Sequence, residues 1–207
     1  MKLFFTLLFK CVVVFRKTHQ RLFSLILSGV LGAKRLRVHP SAKIIGTPGI
    51  AIGANFYAGK DFWLEAVYTH GTLSYTPRII IGDNVAVNDS VHIAATNYIE
   101  IGNNVLMASK IYISDHNHGS YSGELHSAPE MPPNMRPVSS DQRVVIEDNV
   151  WLGEFVAVLP GVTIGKGTII GSNSVVSRSI PPRSIAVGAP AKVVKQYNSI
   201  TKKWEAV

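Results

Sequence analysis

Residues 146–176, IEDNVWLGEFVAVLPGVTIGKGTIIGSNSVV, decide the fold because their aliphatic residues recur at every sixth position. The recurring residues are Ile146, Leu152, Val158, Ile164, Ile170 and Val176. Apolar residues recur about every 3.6 positions in an amphipathic helix and every second position in a two-sided strand, so neither explains this pattern. A period of six indicates a short flat strand followed by a tight corner, where glycine or asparagine tolerates a positive φ. Stacked repeats bury an apolar column that no single repeat could bury alone, which predicts a parallel β-helix.

The same register continues upstream of this stretch. It is visible at Ile81, Val87 and Ile93, after a two-residue slip at Ile101, Met107 and Ile113, and more faintly at Val38, Ile44 and Ile50 or Ile52. Two segments lack the period, residues 60–77 and residues 117–143, and the second contains prolines that a sheet interior does not accept. We therefore predict that both are loops leaving the solenoid, where functional residues tend to lie.

The totals favour one folded domain. A chain of 207 residues with 46% hydrophobic residues can bury one substantial core and is not of disordered composition. Cys11 is the only cysteine, which excludes an internal disulfide and a cysteine-rich zinc cage. We expect Cys11 to be a small buried hydrophobic residue.

The net charge of +8 is concentrated at the N-terminus, because no acidic residue precedes Asp61. The basic residues before it include Lys2, Lys10, Arg16, Lys17, Arg21, Lys34, Arg35 and Arg37. Residues 41–207 carry 13 basic and 13 acidic residues, so this part of the chain is neutral, and no basic stripe studded with aromatic residues marks a nucleic-acid-binding surface.

Residues 1–35 alternate apolar stretches with cations. Their longest apolar run, residues 22–33, is shorter than the roughly 20 residues of a spanning helix. We expect one or two helices that either cap the following domain or lie on an anionic membrane face. A signal peptide is a third interpretation of the same pattern.

A polar cluster follows the last regular repeat before the larger loop. Residues 112–121 read YISDHNHGSY and place Asp115, His116, Asn117 and His118 side by side. Such a cluster suits a metal site, a general base or the polar cap of a turn. The sequence pattern alone leaves these three alternatives open.

Three longer motifs resemble the bacterial hexapeptide-repeat O-acyltransferases, in particular the maltose and galactoside acetyltransferases and their surface-polysaccharide relatives. The motifs are IGNNVLMASKIYISDHNHG (101–119), VWLGEFVAVLPGVTIGKGTIIGSNSVVSRSIPP (150–182) and IAVGAPAKVVK (185–195). The resemblance implies an all-β, left-handed parallel β-helix with three repeats per coil, a homotrimer, and active sites between neighbouring subunits. The implied organisation is a helical segment over 1–35, a β-helix domain over 36–194 with the two loops, and a C-terminal tail over 195–207.

The resemblance also implies roles for individual residues. His116 corresponds to the catalytic base and Asn88 to an active-site asparagine. Acceptor contacts are implied for Asp115, Asn117, His118 and Trp151. Contacts to coenzyme A are implied for Gly153, Glu154, Ser172, Ser177, Arg178, Lys192 and Lys195, and no metal is expected. Thr96 and Glu154 depart from the galactoside pattern, so the acceptor pocket cannot be copied from those enzymes.

These roles imply an acetyl-coenzyme A dependent O-acetyltransferase that acts on a sugar hydroxyl of an O-antigen, capsule or exopolysaccharide, with a free or lipid-linked acceptor. It would be cytoplasmic, either free or peripheral on the inner face of the cytoplasmic membrane. A neutral histidine can take the hydroxyl proton as attack occurs. Candidates to orient His116 are Asp115, the adjoining main-chain carbonyls, or Glu147 from another coil or subunit. Asn88 would hold the acceptor or the oxyanion.

Two other classes compete with this hypothesis. A γ-type carbonic anhydrase would need three imidazoles converging on zinc, and the candidate set is His92, His116 and His118. A non-catalytic scaffold would use residues 1–35 to bind a membrane or a partner protein. Nucleotide-sugar pyrophosphorylases and serine acetyltransferases carry a further N-terminal domain for which residues 1–40 leave no room.

Overall fold

The computed structural model describes residues 2–121, 124, 126–138 and 142–207. Helix α1 spans Lys2–Leu31, and two short 3-10 helices span Thr47–Gly49 and Pro133–Met135. In chain order the strands are β1 Arg37–Val38, β2 Lys43–Ile45, β3 Ile50–Ile52, β4 Tyr57–Ala58, β5 Trp63–Ala66, β6 Thr69–His70, β7 Leu73–Ser74, β8 Arg78–Ile81, β9 Ala86–Val87, β10 His92–Ala95, β11 Tyr98–Ile101, β12 Leu106–Met107, β13 Tyr112–Ser114, β14 Arg143–Ile146, β15 Trp151–Leu152, β16 Ala157–Val158, β17 Thr163–Ile164, β18 Ile169–Ile170, β19 Val175–Val176, β20 Ser184–Val187, β21 Lys192–Asn198 and β22 Lys203–Ala206.

Three sheets form the sides of a left-handed parallel β-helix, which confirms the β-helix predicted from the period of six and the hand implied by the family resemblance. Sheet A has the order β1-β4-β9-β12-β15-β18-β20-β21-β22, sheet B the order β2-β5-β10-β13-β16-β19, and sheet C the order β3-β8-β11-β14-β17. Each coil contributes one strand to A, then to B, then to C. Within these three sheets the strands pair in parallel up to β20, after which β21 and β22 add antiparallel.

The sixfold residues are the core of this prism. On sheet A, Val87, Met107 and Leu152 stack in register and are fully buried. Corresponding columns run inside the other two sheets, for example Ile93, Ile113 and Val158 in sheet B. Each such side chain contributes about 1.5–3 kcal/mol through burial, so the stacked columns account for the stability of strands only two residues long.

Asparagines hold the corners, in agreement with the predicted positive φ. Asn84, Asn104 and Asn149 adopt φ values of 58°, 57° and 59°. The side chains of the first two form a ladder between coils, in which Asn84 Nδ2 donates to Asn104 Oδ1 at 3.2 Å. Asparagine is among the residues that enter this left-handed region most readily.

The prediction that all of residues 60–77 leave the solenoid is wrong at its start. Trp63–Ala66 is strand β5 of sheet B, where Leu64 faces the core and is fully buried. The bulky Phe62 and Trp63 conceal the repeat in the sequence, since Phe62 fills the corner and Trp63 lies on the outside. Only residues 67–77 project, and they contain the β6–β7 hairpin.

The described residues of the second predicted loop, residues 117–143, lie off the solenoid except Arg143, which begins β14. Residues 122, 123, 125 and 139–141 fall outside the described residues. The predicted C-terminal tail is instead a hairpin of β21 and β22 that extends sheet A, so the predicted boundary at residue 195 falls inside β21.

The second half of α1 covers the open end of the first coil. Ser24 is buried, and its Oγ accepts the N–H of Val38 at 3.0 Å. Leu27 packs into the core beside it. Cys11 lies on the outer half of α1 and is exposed, which corrects its predicted burial, because this half of the helix has no coil beneath it. No helix in the described part of the chain combines the length and apolarity needed to cross a membrane.

Candidate active site

The described residues in excess of the sixfold repeat leave the solenoid at one edge, where the chain passes from sheet B to sheet C. We call this edge the B–C corner, and its irregular residues on three successive coils are 67–77, 96–97 and the described residues between 115 and 142. Thr96 and Asn97 are the irregular residues of the middle coil, and they account for the two-residue slip in the sixfold repeat. The polar cluster at residues 115–118 therefore lies where three irregular corners are stacked.

Asp115 fixes this corner from inside. Its carboxylate is fully buried. Oδ1 accepts the main-chain N–H of Thr96 at 2.9 Å, while Oδ2 accepts those of Asn97 and Tyr98 at 2.8 and 2.7 Å. The hydroxyl of Thr96 also donates to Oδ1 at 3.3 Å. Hydrogen bonds to a charged acceptor are among the stronger ones in proteins, so one side chain holds the extra loop of the preceding coil.

His116 is oriented by the same carboxylate. Its Nδ1 lies 2.8 Å from Asp115 Oδ1 and 3.2 Å from Ser114 Oγ. The Ser114 hydroxyl also bonds both main-chain groups of His116, accepting from N–H at 3.2 Å and donating to C=O at 3.1 Å. Because a carboxylate only accepts, Nδ1 carries the proton and the neutral ring keeps Nε2 as a proton acceptor. The histidine side chain is 13% exposed, so solvent or a substrate reaches it from one side only.

The two long excursions of the B–C corner meet above this histidine. His70 of the hairpin packs edge-to-face on His118, with ring centroids 4.9 Å apart. Tyr75 donates its hydroxyl to Val138 O at 3.2 Å. Partial burial, followed by the neighbouring charges of His70 and His116, lowers the pKa of His118. This imidazole is therefore neutral at neutral pH.

An aromatic ladder on the outer face of sheet B leads toward the same corner. His92 stacks on Trp63 at 4.1 Å, and Tyr112 contacts its edge at 5.6 Å. Burial is the main cause of the lowered pKa of His92. The Nε2 atoms of His70 and His92 are buried, and neither has a hydrogen-bond partner within the described residues. Besides the base, the site therefore presents two imidazole nitrogens that have no hydrogen-bond partner among the described residues.

The remaining predicted residues divide between two sides of the prism. Ser177 and Arg178 follow β19 and lie on the B–C corner, as do Asn117 and His118. The opposite group lies on sheet A and on the A–B corner, where the chain passes from sheet A to sheet B, and comprises Asn88, Trp151, Gly153, Glu154, Ser172, Lys192 and Lys195. We call this second surface the A side.

One chain does not bring Asn88 to His116. Extended chain separates Ser90, beside Asn88, from Thr96, beside His116, by roughly 20 Å at about 3.3 Å per residue. On the A side, Trp151 is 47% exposed and stands in register with Leu106, which is 45% exposed. Trp151 and Leu106 thus form an apolar patch on the A side, which faces away from the histidine.

Comparisons with known proteins agree with this geometry. A family model described as "Bacterial transferase hexapeptide (six repeats)" matches residues 143–178. The chain is 46% identical over 157 residues to the putative lipopolysaccharide biosynthesis O-acetyl transferase WbbJ of Escherichia coli K12, covering 75% of this chain and 76% of that protein. This chain belongs to the bacterial hexapeptide-repeat acetyltransferase family.

Other hexapeptide-repeat acyltransferases share parts of the sequence and the fold. The galactoside O-acetyltransferase of Escherichia coli K12 is 33% identical over 152 residues, covering 70% of this chain and 66% of that one. The crystal structure of a maltose O-acetyltransferase from Clostridium difficile 630 aligns with TM-score 0.51 at 25% identity, covering 89% and 86% of the chains. A mutant of the Bacillus cereus N-acyltransferase AntD aligns with TM-score 0.54 at 24% identity, covering 82% and 85%.

The structure corrects some of the roles that the family resemblance implied. Asp115 is fully buried and cannot touch an acceptor, so its contribution is to position His116 and the chain above it. Within one chain, Glu147 follows β14 and accepts the N–H of Lys166 at 2.7 Å, whereas His116 follows β13; a role of Glu147 toward another subunit stays a prediction. Thr96 is buried against Asp115 and offers nothing to an acceptor. A Cβ on Gly153 would lie 2.7 Å from Ser172 N, so the stacking of coils requires this glycine, while its contact to coenzyme A stays a prediction.

Sequence reasoning missed Ser114 and His70. Ser114 precedes His116 by two residues, and its place on the last strand residue before the loop was a usable signal. His70 gave no signal, because its contact with His118 joins two loops far apart in the sequence. Within the described ranges, no three His, Cys, Asp or Glu side chains are grouped to hold a metal ion, and His92, His116 and His118 are no exception.

Proposed function

We propose that this acetyltransferase moves an acetyl group from acetyl-coenzyme A to a hydroxyl of a sugar in a cell-surface polysaccharide. The observation that carries the proposal is the 2.8 Å contact of His116 Nδ1 with buried Asp115, which leaves Nε2 as a base in a corner roofed by two loops. The names of the relatives, which are O-acetyltransferases of lipopolysaccharide biosynthesis and of galactosides, support a sugar hydroxyl as the acceptor. AntD supports the donor, since its complexes contain coenzyme A or 3-hydroxybutyryl-CoA.

The chemistry needs one base that works in both directions. Nε2 of His116 takes the proton of the sugar hydroxyl as its oxygen attacks the thioester carbonyl. The tetrahedral intermediate then collapses, the carbon–sulfur bond breaks, and the imidazolium returns the proton to the departing thiolate. Asp115 stabilises the transient positive charge without leaving its own hydrogen bonds. Such a base contributes about 10² to 10⁴ in rate.

The other predicted residues fit a site shared by two subunits of a trimer. In our proposal, the B–C corner of one subunit supplies His116, Asn117, His118, Ser177 and Arg178. The A side of the next supplies Asn88 for the acceptor or oxyanion and Trp151 as a platform. Its residues Gly153, Glu154, Ser172, Lys192 and Lys195 lie along the coenzyme. A head-to-tail contact of two different surfaces closes into a ring, and the exposed apolar A side gives that contact its driving force.

We further propose that the enzyme works in the cytoplasm, where acetyl-coenzyme A is made, with α1 on the inner face of the membrane. The basic and apolar residues of α1 support this peripheral contact. It would bring the enzyme to glycans that are still lipid-linked.

The test is thiol release from acetyl-coenzyme A with free and lipid-linked glycans, followed by mass spectrometry of the glycan. We expect release that depends on a hydroxyl acceptor, and an acetyl ester that mild base removes. If thiol is released only with amino sugars and the product is a base-stable amide, the acceptor group is an amine and the proposed hydroxyl acceptor is wrong. No release with any acceptor, together with no coenzyme binding, would favour the non-catalytic scaffold.

A further inference from the structure

Two cavities flank the root of α1, far along the chain from the histidine corner. The first, of about 690 Å³, lies between α1 and the first two coils, and its cationic lining residues are Lys17, Arg21, Arg35 and Arg37. The second, of about 530 Å³, is lined by Arg16, Lys17, His19, His39 and Lys60 among others. Lys17 and Gln20 line both, so the two cavities adjoin at a single turn of the helix, and we call them together the cationic cleft.

The cleft contains no compensating negative charge. No acidic residue occurs in the sequence before Asp61, and neither lining includes one. Among the described residues, none of the four cations of the first cavity forms an ion pair. Arg37 is held in place by Tyr57, its guanidinium carbon lying 4.9 Å from the ring centroid. The clustered positive charges repel one another. An anion that contacts several of them relieves this repulsion, so the cleft suits an anionic ligand.

The helix indicates that this anion belongs to a lipid. Beyond the cleft, α1 leaves Phe9 69% and Phe15 71% exposed, with Phe5 and Leu8 also largely exposed. Leu25, which lines the first cavity, is 71% exposed as well, so an apolar surface begins at the mouth of the cleft. A free phosphate would use the cations alone and would gain nothing from these side chains. An amphiphile uses both, with its acyl chains beside the apolar surface and its headgroup in the cleft.

We infer that this cleft binds the phosphate of an anionic phospholipid headgroup while α1 lies in the membrane surface. The inference rests on the membrane contact proposed above and deepens it, but it does not depend on acetyl transfer. Arginine guanidinium groups present several donors in a fixed plane and suit phosphate oxygens, and Gln20, Ser24 and Ser28 add neutral polar groups to the same wall.

The experiment compares two double variants of the full chain that lose the same charge. R21Q/R37Q removes cations from the cleft, and K10Q/K34Q removes cations outside both cavities. Binding is measured to phosphatidylglycerol vesicles in a phosphatidylcholine host, to phosphatidylcholine alone, and to free glycerol phosphate. Circular dichroism checks the fold, and K17Q/R35Q is a second cleft variant in case the first does not fold. Acetyl transfer to a soluble acceptor, which should be unchanged, separates this test from that of the reaction.

We expect the wild-type chain to prefer phosphatidylglycerol vesicles, and the cleft variants to lose at least about tenfold more affinity than the control variant. Equal losses would show a diffuse surface attraction and overturn the inference. Saturable glycerol phosphate binding without vesicle binding would assign the cleft to a soluble phosphate, which also contradicts it. Binding to neither kind of vesicle, with α1 protected only in the assembled oligomer, would place a second copy of the chain on the helix instead.

Discussion

The coils before residue 143 and the coils after it differ at the B–C corner, because the earlier coils carry extra residues there and the later coils do not. From Leu106 to Trp151 the register partner lies 45 residues further on, and from Tyr57 to Ala86 it lies 29 residues further on. After Trp151 a coil is as short as three six-residue repeats allow. The surplus residues of the earlier coils that the structure describes leave at the B–C corner. The regular coils therefore serve as a rigid support, and the irregular ones carry the candidate chemistry.

The carboxylates at the corners show the same contrast. Asp148 lies on an exposed corner of the regular part and accepts the N–H of Asn103 at 2.8 Å. Asp115 is buried and accepts three main-chain N–H groups as well as orienting His116. Asp148 also accepts from Asn103 Nδ2 and Lys166 Nζ, each at 3.2 Å, but among the described residues it takes only one main-chain N–H, and it stays solvated. The corner that holds a base is fixed more firmly, because its carboxylate is buried and takes three main-chain N–H groups. The predictions below test this difference between the two regions.

The largest effect is expected at the irregular corner. H116A should lower turnover by about 10² to 10⁴ because the hydroxyl proton loses its acceptor. Steady-state thiol release measures this, with size-exclusion chromatography to show that the assembly is unchanged. H118A serves as the matched control, with a loss below about tenfold. Near-normal turnover in H116A would remove the base from the mechanism.

Next in size is the comparison of D115N with D148N. The amide of D115N would direct an N–H₂ group at the N–H groups of Asn97 and Tyr98, leaving buried donors unsatisfied at a cost of roughly 2–5 kcal/mol. D148N keeps an acceptor on a solvated corner and should change the melting temperature far less. Thermal unfolding followed by circular dichroism measures both. Equal shifts would mean that the two corners are equivalent after all.

The sequence predicted the regular region far better than the irregular one. The period of six is written in Ile146 to Val176 because each core position admits only an aliphatic side chain. It was hidden at Phe62 and Trp63, where large aromatic residues stand outside the pattern although Leu64 still faces the core. The motif placed His116, but its contacts depend on hydrogen bonds from the preceding coil, and no local pattern records pairing between coils. The separation of Asn88 from His116 likewise required the three-dimensional winding.

A smaller effect is expected from glycine in the regular coils. G153A should cost about 1–3 kcal/mol, because the added Cβ would lie 2.7 Å from the main-chain nitrogen of Ser172. G29A in α1, where a Cβ meets nothing within 4 Å, should stabilise the chain slightly. Chemical denaturation of both variants distinguishes them. If G153A is neutral, the close stacking of these coils is not a constraint on the fold.

The smallest effect is a pH dependence of stability. Burial lowers the pKa of His92 in the folded chain below its ordinary value of 6.5. Below about pH 6.5 the unfolded chain takes up this proton first, so stability is lost as the pH falls from 6.5 toward the folded pKa, while above 6.5 this residue contributes no slope. H92Q should flatten that part of the profile, whatever its effect on absolute stability. An unchanged slope would show that His92 is not held neutral.

Mixed trimers test the central claim most directly, which is that His116 of one subunit works with Asn88 of the next. N88A and H116A, each with little activity alone, are unfolded, mixed in equal amounts and refolded together. A site shared between subunits is intact once in every mixed trimer, so the mixture should recover about a quarter of wild-type activity. If the two residues acted within one chain, every chain would lack one of them. The mixture would then stay as inactive as its parents.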